Sequence, residues 1–138
     1  MHEQHELVAR GTAATSTFAG TGQTYALLVG VSDYAKLPPE QKLLFADRDA
    51  ELMQSYLQSA RGGTVPAENI RLLRNQDATV AAVRNGIGEF LRARATENDT
   101  VILFLAAHGV AESSGAYIIA YDTDPDNLPD GGGPVEGA

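Results

Sequence analysis

His108, followed at once by Gly109, stands at the end of the apolar run Val101-Ile-Leu-Phe-Leu-Ala-Ala107. A short continuous apolar stretch reads as a strand covered on both faces, so it would deliver an imidazole to the carboxyl edge of a sheet. Imidazole is the side chain whose ordinary pKa lies nearest neutrality, and one so placed can act as a general base. The glycine after it would let a substrate carbonyl approach a backbone N–H without meeting a side chain. A base needs a nucleophile to serve, yet the chain contains no cysteine. From position alone, His108 is equally a strand-end histidine hydrogen-bonded to nearby backbone.

Carboxylates form the second set of candidates. Asp49 lies three and four positions before Leu52 and Met53 and is expected to share their inward-facing stripe, where a carboxylate needs a partner. The alternative is a first-turn acid stabilised by the helix dipole. Asp122-Thr-Asp-Pro-Asp126 opens like a calcium loop, but Asn127 stands where glycine is required and no glutamate follows at the twelfth position. That excludes an EF-hand and leaves a looser Ca²⁺ site beside a solvated acidic loop. His2 and His5 lack the spacing of a zinc-protease motif and read as tail. Gly20 and Gly22 precede the first strand, whereas a phosphate-binding loop must follow it.

The elements that must position these groups follow from composition and periodicity. With 138 residues, 43% of them hydrophobic, the chain can bury one core and reads as one domain. A net charge of −8 without any basic run argues against nucleic-acid binding. No stretch approaches the ~20 apolar residues needed to span a bilayer, and the amino end lacks the features of a signal peptide. Without cysteine there are no disulfides or thiolate metal sites, and the compartment stays open.

Residues 1–23, small and polar, read as a flexible tail. Residues 24–126 form the domain, and 127–138, with Gly131-Gly-Gly-Pro134, a linker or end. Within the domain, Tyr25-Ala-Leu-Leu-Val-Gly-Val31 predicts a first strand, and Leu52, Met53, Tyr56, Leu57 and Ala60 a helix closed by Gly62-Gly63. Ile70-Arg-Leu-Leu73 predicts a second strand. Val80, Val83, Ile87, Phe90 and Leu91 predict a second helix capped by Asp77 or Thr79, despite Gly86 and Gly88. Strands over 100–106 and 116–120 complete an α/β sheet, whose ligands belong at the carboxyl ends of the strands. That rim would gather Ser32-Asp33, His108-Gly109 and Asp122-Thr-Asp124.

From Tyr25 to Asp124 the chain resembles the large-subunit half of the caspase-like cysteine peptidases, particularly the bacterial and metacaspase branch. The matching pieces are Tyr25-Ala-Leu-Leu-Val-Gly-Val-Ser-Asp-Tyr34, Ala46-Asp-Arg-Asp-Ala-Glu-Leu-Met53, Asn69-Ile-Arg-Leu-Leu73, Asp77-Ala-Thr79, Asp99-Thr-Val-Ile-Leu-Phe-Leu-Ala-Ala-His-Gly109 and Tyr117-Ile-Ile-Ala-Tyr-Asp122. Ala107 stands where the family usually has glycine before the histidine.

The resemblance implies a caspase-like (caspase-hemoglobinase) three-layer α/β sandwich, mostly parallel, with helices on both faces and incomplete at the C-terminus. It implies cysteine endopeptidase chemistry acting on a protein or peptide, with His108 as base and Gly109 in the oxyanion hole. It also implies a pocket favouring Arg or Lys before the cleaved bond, lined by Asp49 with Ala46 and Ala106 as small neighbours. No cofactor is implied except the Ca²⁺ that some metacaspases need. The nucleophile would lie about 50 residues beyond the histidine. Thirty residues follow His108, so a Cys-bearing segment or second subunit is expected elsewhere. The sheet edge awaiting its strand would then invite self-association. Two other readings remain: a caspase-fold pseudoenzyme acting as a binding or scaffold module, and an unrelated receiver-like α/β domain with Asp33, Asp47 and Asp49 as a phosphorylation or metal cluster.

Overall fold

The computed structural model describes residues 13–18, 22–113 and 115–127. His2, His5 and the glycine-rich stretch 131–134 lie outside the described residues. In chain order the main elements are β1 (Ala13–Phe18), β2 (Thr24–Gly30), α1 (Ala46–Gln58), β3 (Ile70–Arg74), α2 (Val80–Asn85), β4 (Thr100–Ala106), β5 (Gly109–Glu112) and β6 (Gly115–Ile118). Four strands form one sheet in the order β1-β4-β2-β3, with β2 parallel to both β3 and β4 and β1 antiparallel to β4.

The unbroken apolar runs of β2 and β4 have a simple cause. Alternate side chains of a strand point to opposite faces, and both faces here are covered. Leu27 and Val29 of β2 and Leu105 of β4 face one apolar layer with Val83, Phe90 and Leu91. Ala26, Leu28, Phe104 and Ala106 face the other layer with Ala46, Ala50 and Leu57 of α1. The result is the three-layer α/β arrangement that the sequence implied.

Two glycines set how closely the helical layers approach. A Cβ added at Gly30, the last residue of β2, would overlap the Ala46 carbonyl oxygen and stand 2.8 Å from the Ala50 Cβ. One added at Gly86 would stand 2.8 and 2.9 Å from the two methyls of Leu27. Thr79 caps α2 by accepting from the Ala82 N–H at 3.1 Å. Past Asn85 the helix continues to Arg92 with π-type bonding, Gly86 lying against β2.

Three expectations need correction. Residues 13–18 are no tail: they pair with β4 from Ala13 opposite Ala106 to Phe18 opposite Val101. Low apolar content does not bar an edge strand, because ladder hydrogen bonds and the strand preference of Thr suffice there. By the same pairing the edge of β4 is occupied, and among the described residues the outer strands of the sheet are β1 and β3. Finally, β6 does not join this sheet but forms a separate two-stranded hairpin with β5. A parallel return needs a crossover of about a dozen residues or more, and residues 107–114 are too few.

These contacts predict opposite outcomes for two glycine substitutions. Gly30→Ala should lower unfolding free energy by about 2 to 3 kcal/mol, because backbone and not a flexible side chain must move. Nothing lies within 4 Å of a Cβ at Gly88, and Gly88→Ala should leave stability unchanged or raise it by about 0.5 to 1 kcal/mol. Urea unfolding of both variants measures the contrast.

Candidate active site

At the carboxyl end of the sheet, Asn75 joins three elements. Its Oδ1 accepts from the Ser32 N–H at 3.0 Å and the Asp33 N–H at 3.1 Å, while its Nδ2 donates to Asp47 Oδ2 at 3.1 Å. Ser32 Oγ donates to Asp47 Oδ1 at 2.9 Å and accepts from the Asp47 N–H at 3.0 Å. The end of β2, the end of β3 and the first turn of α1 are thus tied through one carboxylate. Asn75 has φ 47°, a left-handed conformation that asparagine tolerates better than most residues. Burial would raise the pKa of Asp47, but hydrogen bonds from Asn75, Ser32 and the Arg48 N–H outweigh it and hold the carboxyl below its ordinary value.

His108 follows β4 and is half-buried. Its backbone N–H donates to the Tyr34 hydroxyl oxygen at 2.8 Å, and its carbonyl accepts from the Ile119 N–H at 2.9 Å. The Tyr34 ring lies against the imidazole with centroids 5.4 Å apart. On the ring, Nε2 sits 2.6 Å from the carbonyl oxygen of Gln41. A carbonyl can only accept, so Nε2 carries the hydrogen and Nδ1 of the neutral ring is the basic atom. Gln41 closes a 3-10 turn over Pro39–Gln41, entered from Pro38, and its own N–H donates to the Pro38 carbonyl at 2.9 Å. The Leu37-Pro-Pro39 breaker is therefore also the strut that orients the imidazole.

The other candidates fall in different places. Gly109 is the first residue of β5, opposite Ile118. Ala46 and Ala106 come together, but in the buried layer beneath α1, where they pack against apolar neighbours. Asp49 is exposed: the sheet-facing stripe of α1 is Ala46, Ala50, Met53 and Leu57, one residue out of phase with it. The carboxylate that reaches the rim is Asp47. Composition gave no sign of Tyr34, Gln41 or Asn75, whose roles depend on where loops return.

The proposed acidic cluster does not assemble. Asp33 pairs with Lys42 at 3.5 Å, Asp47 is held by Ser32 and Asn75, and Asp49 lies apart. The calcium candidates are also committed locally: Asp122 caps α2 by accepting from the Val80 N–H at 2.9 Å, and Asp124 accepts from the Asp126 N–H at 3.0 Å. Among the described residues no group of three or more acidic, His or Cys side chains could hold a metal ion, so these residues do not fit a resident Ca²⁺. Nor is any described helix long and apolar enough to cross a membrane.

A groove of about 680 Å³ opens beside this rim, lined by Ser32, Asp33, Glu40, Leu44, Asp47 and Asn75 among others. Together with Nδ1 of His108, the site offers an oriented proton acceptor and an acidic trough next to it.

Two titrations should report on these anchors. Burial pushes the Tyr34 phenol up to about 12, against the pull of the His108 N–H. The unfolded phenol ionises near pH 10. Between these values the unfolded chain has lost a proton that the folded chain keeps, so stability falls as pH rises from about 10 to about 12, by about 2 to 3 kcal/mol. Tyr34→Phe should flatten that limb in urea unfolding. Asp47 has the opposite sign: its contribution is present above the ordinary carboxyl range and is lost as pH falls through its lowered folded value. Asp47→Asn should make the acid limb shallower.

The family model described as the caspase domain matches residues 23–129, a span that begins just before β2 and ends two residues past Asn127, the last described residue. No curated protein and no solved structure matches the chain. Matched over more than half its length, with a histidine presented at the end of the third parallel strand, the chain belongs to the caspase domain family.

Proposed function

We propose that this chain is the base-bearing portion of a caspase-like cysteine endopeptidase, working with a cysteine supplied by sequence outside these 138 residues. The observation that carries the reading is the hydrogen bond from His108 Nε2 to the Gln41 carbonyl, which leaves Nδ1 as the proton acceptor. A thiol brought within hydrogen-bond reach of Nδ1 would pass its proton there, and the thiolate would attack the scissile carbonyl carbon. The imidazolium would then protonate the departing amine. Water deprotonated at the same nitrogen would hydrolyse the acyl-enzyme and restore the thiol. The N–H of Gly109 is assigned to the oxyanion formed in each addition, with no side chain on that residue to obstruct the carbonyl.

A preference for Arg or Lys before the cleaved bond is part of the same proposal. Asp47 supports it better than Asp49 does, because Asp47 lines the groove beside the Gln41 turn and hydrogen bonding keeps it ionised. Its donors, the Ser32 hydroxyl, the Asn75 amide and the backbone N–H of Arg48, are neutral groups that leave the negative charge in place.

The native polypeptide containing this sequence is the test material. It is expected to carry a cysteine, by intact mass and sequence, and to hydrolyse Arg- or Lys-terminated fluorogenic peptides in preference to Asp-terminated ones. His108→Ala should lower kcat by about a thousandfold. A native product without any cysteine would overturn the peptidase reading in favour of a binding module built on the same fold. An active enzyme preferring Asp would overturn only the basic preference.

A further inference from the structure

The register of β1 fixes where the chain ahead of it meets the sheet. β1 runs antiparallel to β4 with Ala13 opposite Ala106, so the segment that precedes Ala13 joins the sheet at the rim that carries His108. In the order β1-β4-β2, the start of β1 lies two strands from the end of β2, about 10 Å at the usual strand spacing. Three residues of extended chain cover about the same distance, and the residue three before Ala13 is Arg10. The direct path from Ala13 to the rim groove crosses the end of β4, where His108 stands.

Charge matches reach. Three carboxylates line that groove, Asp33, Glu40 and Asp47, against one ammonium, Lys42, which is paired with Asp33 at 3.5 Å. Glu40 and Asp47 form no ion pair among the described residues, and the side chains that donate to Asp47, Ser32 and Asn75, are neutral. Arg10 is the one Lys or Arg that lies outside the described residues. The other terminal stretch, 128–138, brings Asp130 and Glu136 and no cation, so like charge keeps it from this groove.

We propose that the rim groove is the docking site of the chain's own amino-terminal segment, with the Arg10 guanidinium facing Glu40 and Asp47. A guanidinium presents paired N–H donors that match carboxylate oxygens. The short tether supplies it at an effective concentration on the order of millimolar, which favours it over Arg10 of a second copy in dilute solution. Docked this way, the segment lies over His108 and fills the place of a substrate's basic residue. That consequence rests on the proposed function, whereas the docking rests on register, reach and charge.

Nuclear magnetic resonance of the nitrogen-15-labelled chain tests the docking. Arg10→Ala should shift the backbone N–H signals of Ser32 and Asp33 and the side-chain amide of Asn75. The probe is the blocked peptide Leu7-Val-Ala-Arg-Gly-Thr12. It should bind Arg10→Ala about tenfold more tightly than wild type, in which the tethered arginine must first leave. Arg10→Lys keeps the charge and should restore most of that protection. Glu40→Gln, at an exposed position, should narrow the difference, as should raised salt. Equal affinity of wild type and Arg10→Ala would overturn the proposal, and so would failure of the peptide to bind Arg10→Ala. Protection that fades on dilution, with dimers in sedimentation, would also overturn it, because the arginine would then come from a second copy. No step reads hydrolysis, so a negative result leaves the peptidase reading standing, and a cysteine-free native product would leave the docking standing.

Discussion

The end of β2 is a glycine, and α1 rests on it. With Gly30 overlapping space that any Cβ would need, the first turns of the helix come down onto the strand backbone, and only small side chains fit between them. Ala46 and Ala50 therefore face inward. Close approach then brings Asp47 within reach of both Ser32 and Asn75, so a packing constraint becomes a polar junction at the rim. It also fixes the span that the chain between β2 and α1 must bridge, and within that span lies the turn whose carbonyl meets His108.

How the imidazole is held follows a common logic. Its backbone is bonded on both sides, to the Tyr34 hydroxyl and to the Ile119 N–H, and one ring nitrogen is bonded to a backbone carbonyl. Main-chain partners do not carry their own rotamer freedom, so ring orientation costs little entropy when substrate arrives. Tyr34, kept neutral by burial, adds a flat wall without adding a competing charge.

Much of this was legible in the sequence, for identifiable reasons. The strands over β2, β3 and β4 were marked by short apolar runs between breakers, and the histidine by its place after the last of them. Asp49 was misplaced because α1 contains two apolar stripes one residue apart, and periodicity alone does not say which faces the sheet; the steric limit at Gly30 does. β1 was missed because its stability comes from pairing with β4 and not from its own composition. Gln41 contributes through its main-chain carbonyl, which no residue-type pattern can reveal. The strand expected over 116–120 forms as β6 (Gly115–Ile118) but pairs with β5 and not with the main sheet, because the connection is too short for a parallel return.

The central position of β4 has one more consequence. Along any strand, successive residues direct their N–H groups to opposite sides, so β4 bonds alternately to β2 and to β1. These two neighbours are anchored very differently: β2 is the most buried strand of the core, and β1 is an edge among the described residues. Fraying of β1 would free every second amide of β4 to exchange with solvent while the amides between stayed locked. Adjacent residues leading up to the imidazole thus keep separate time, one set recording the life of the core and the other the comings and goings at its border.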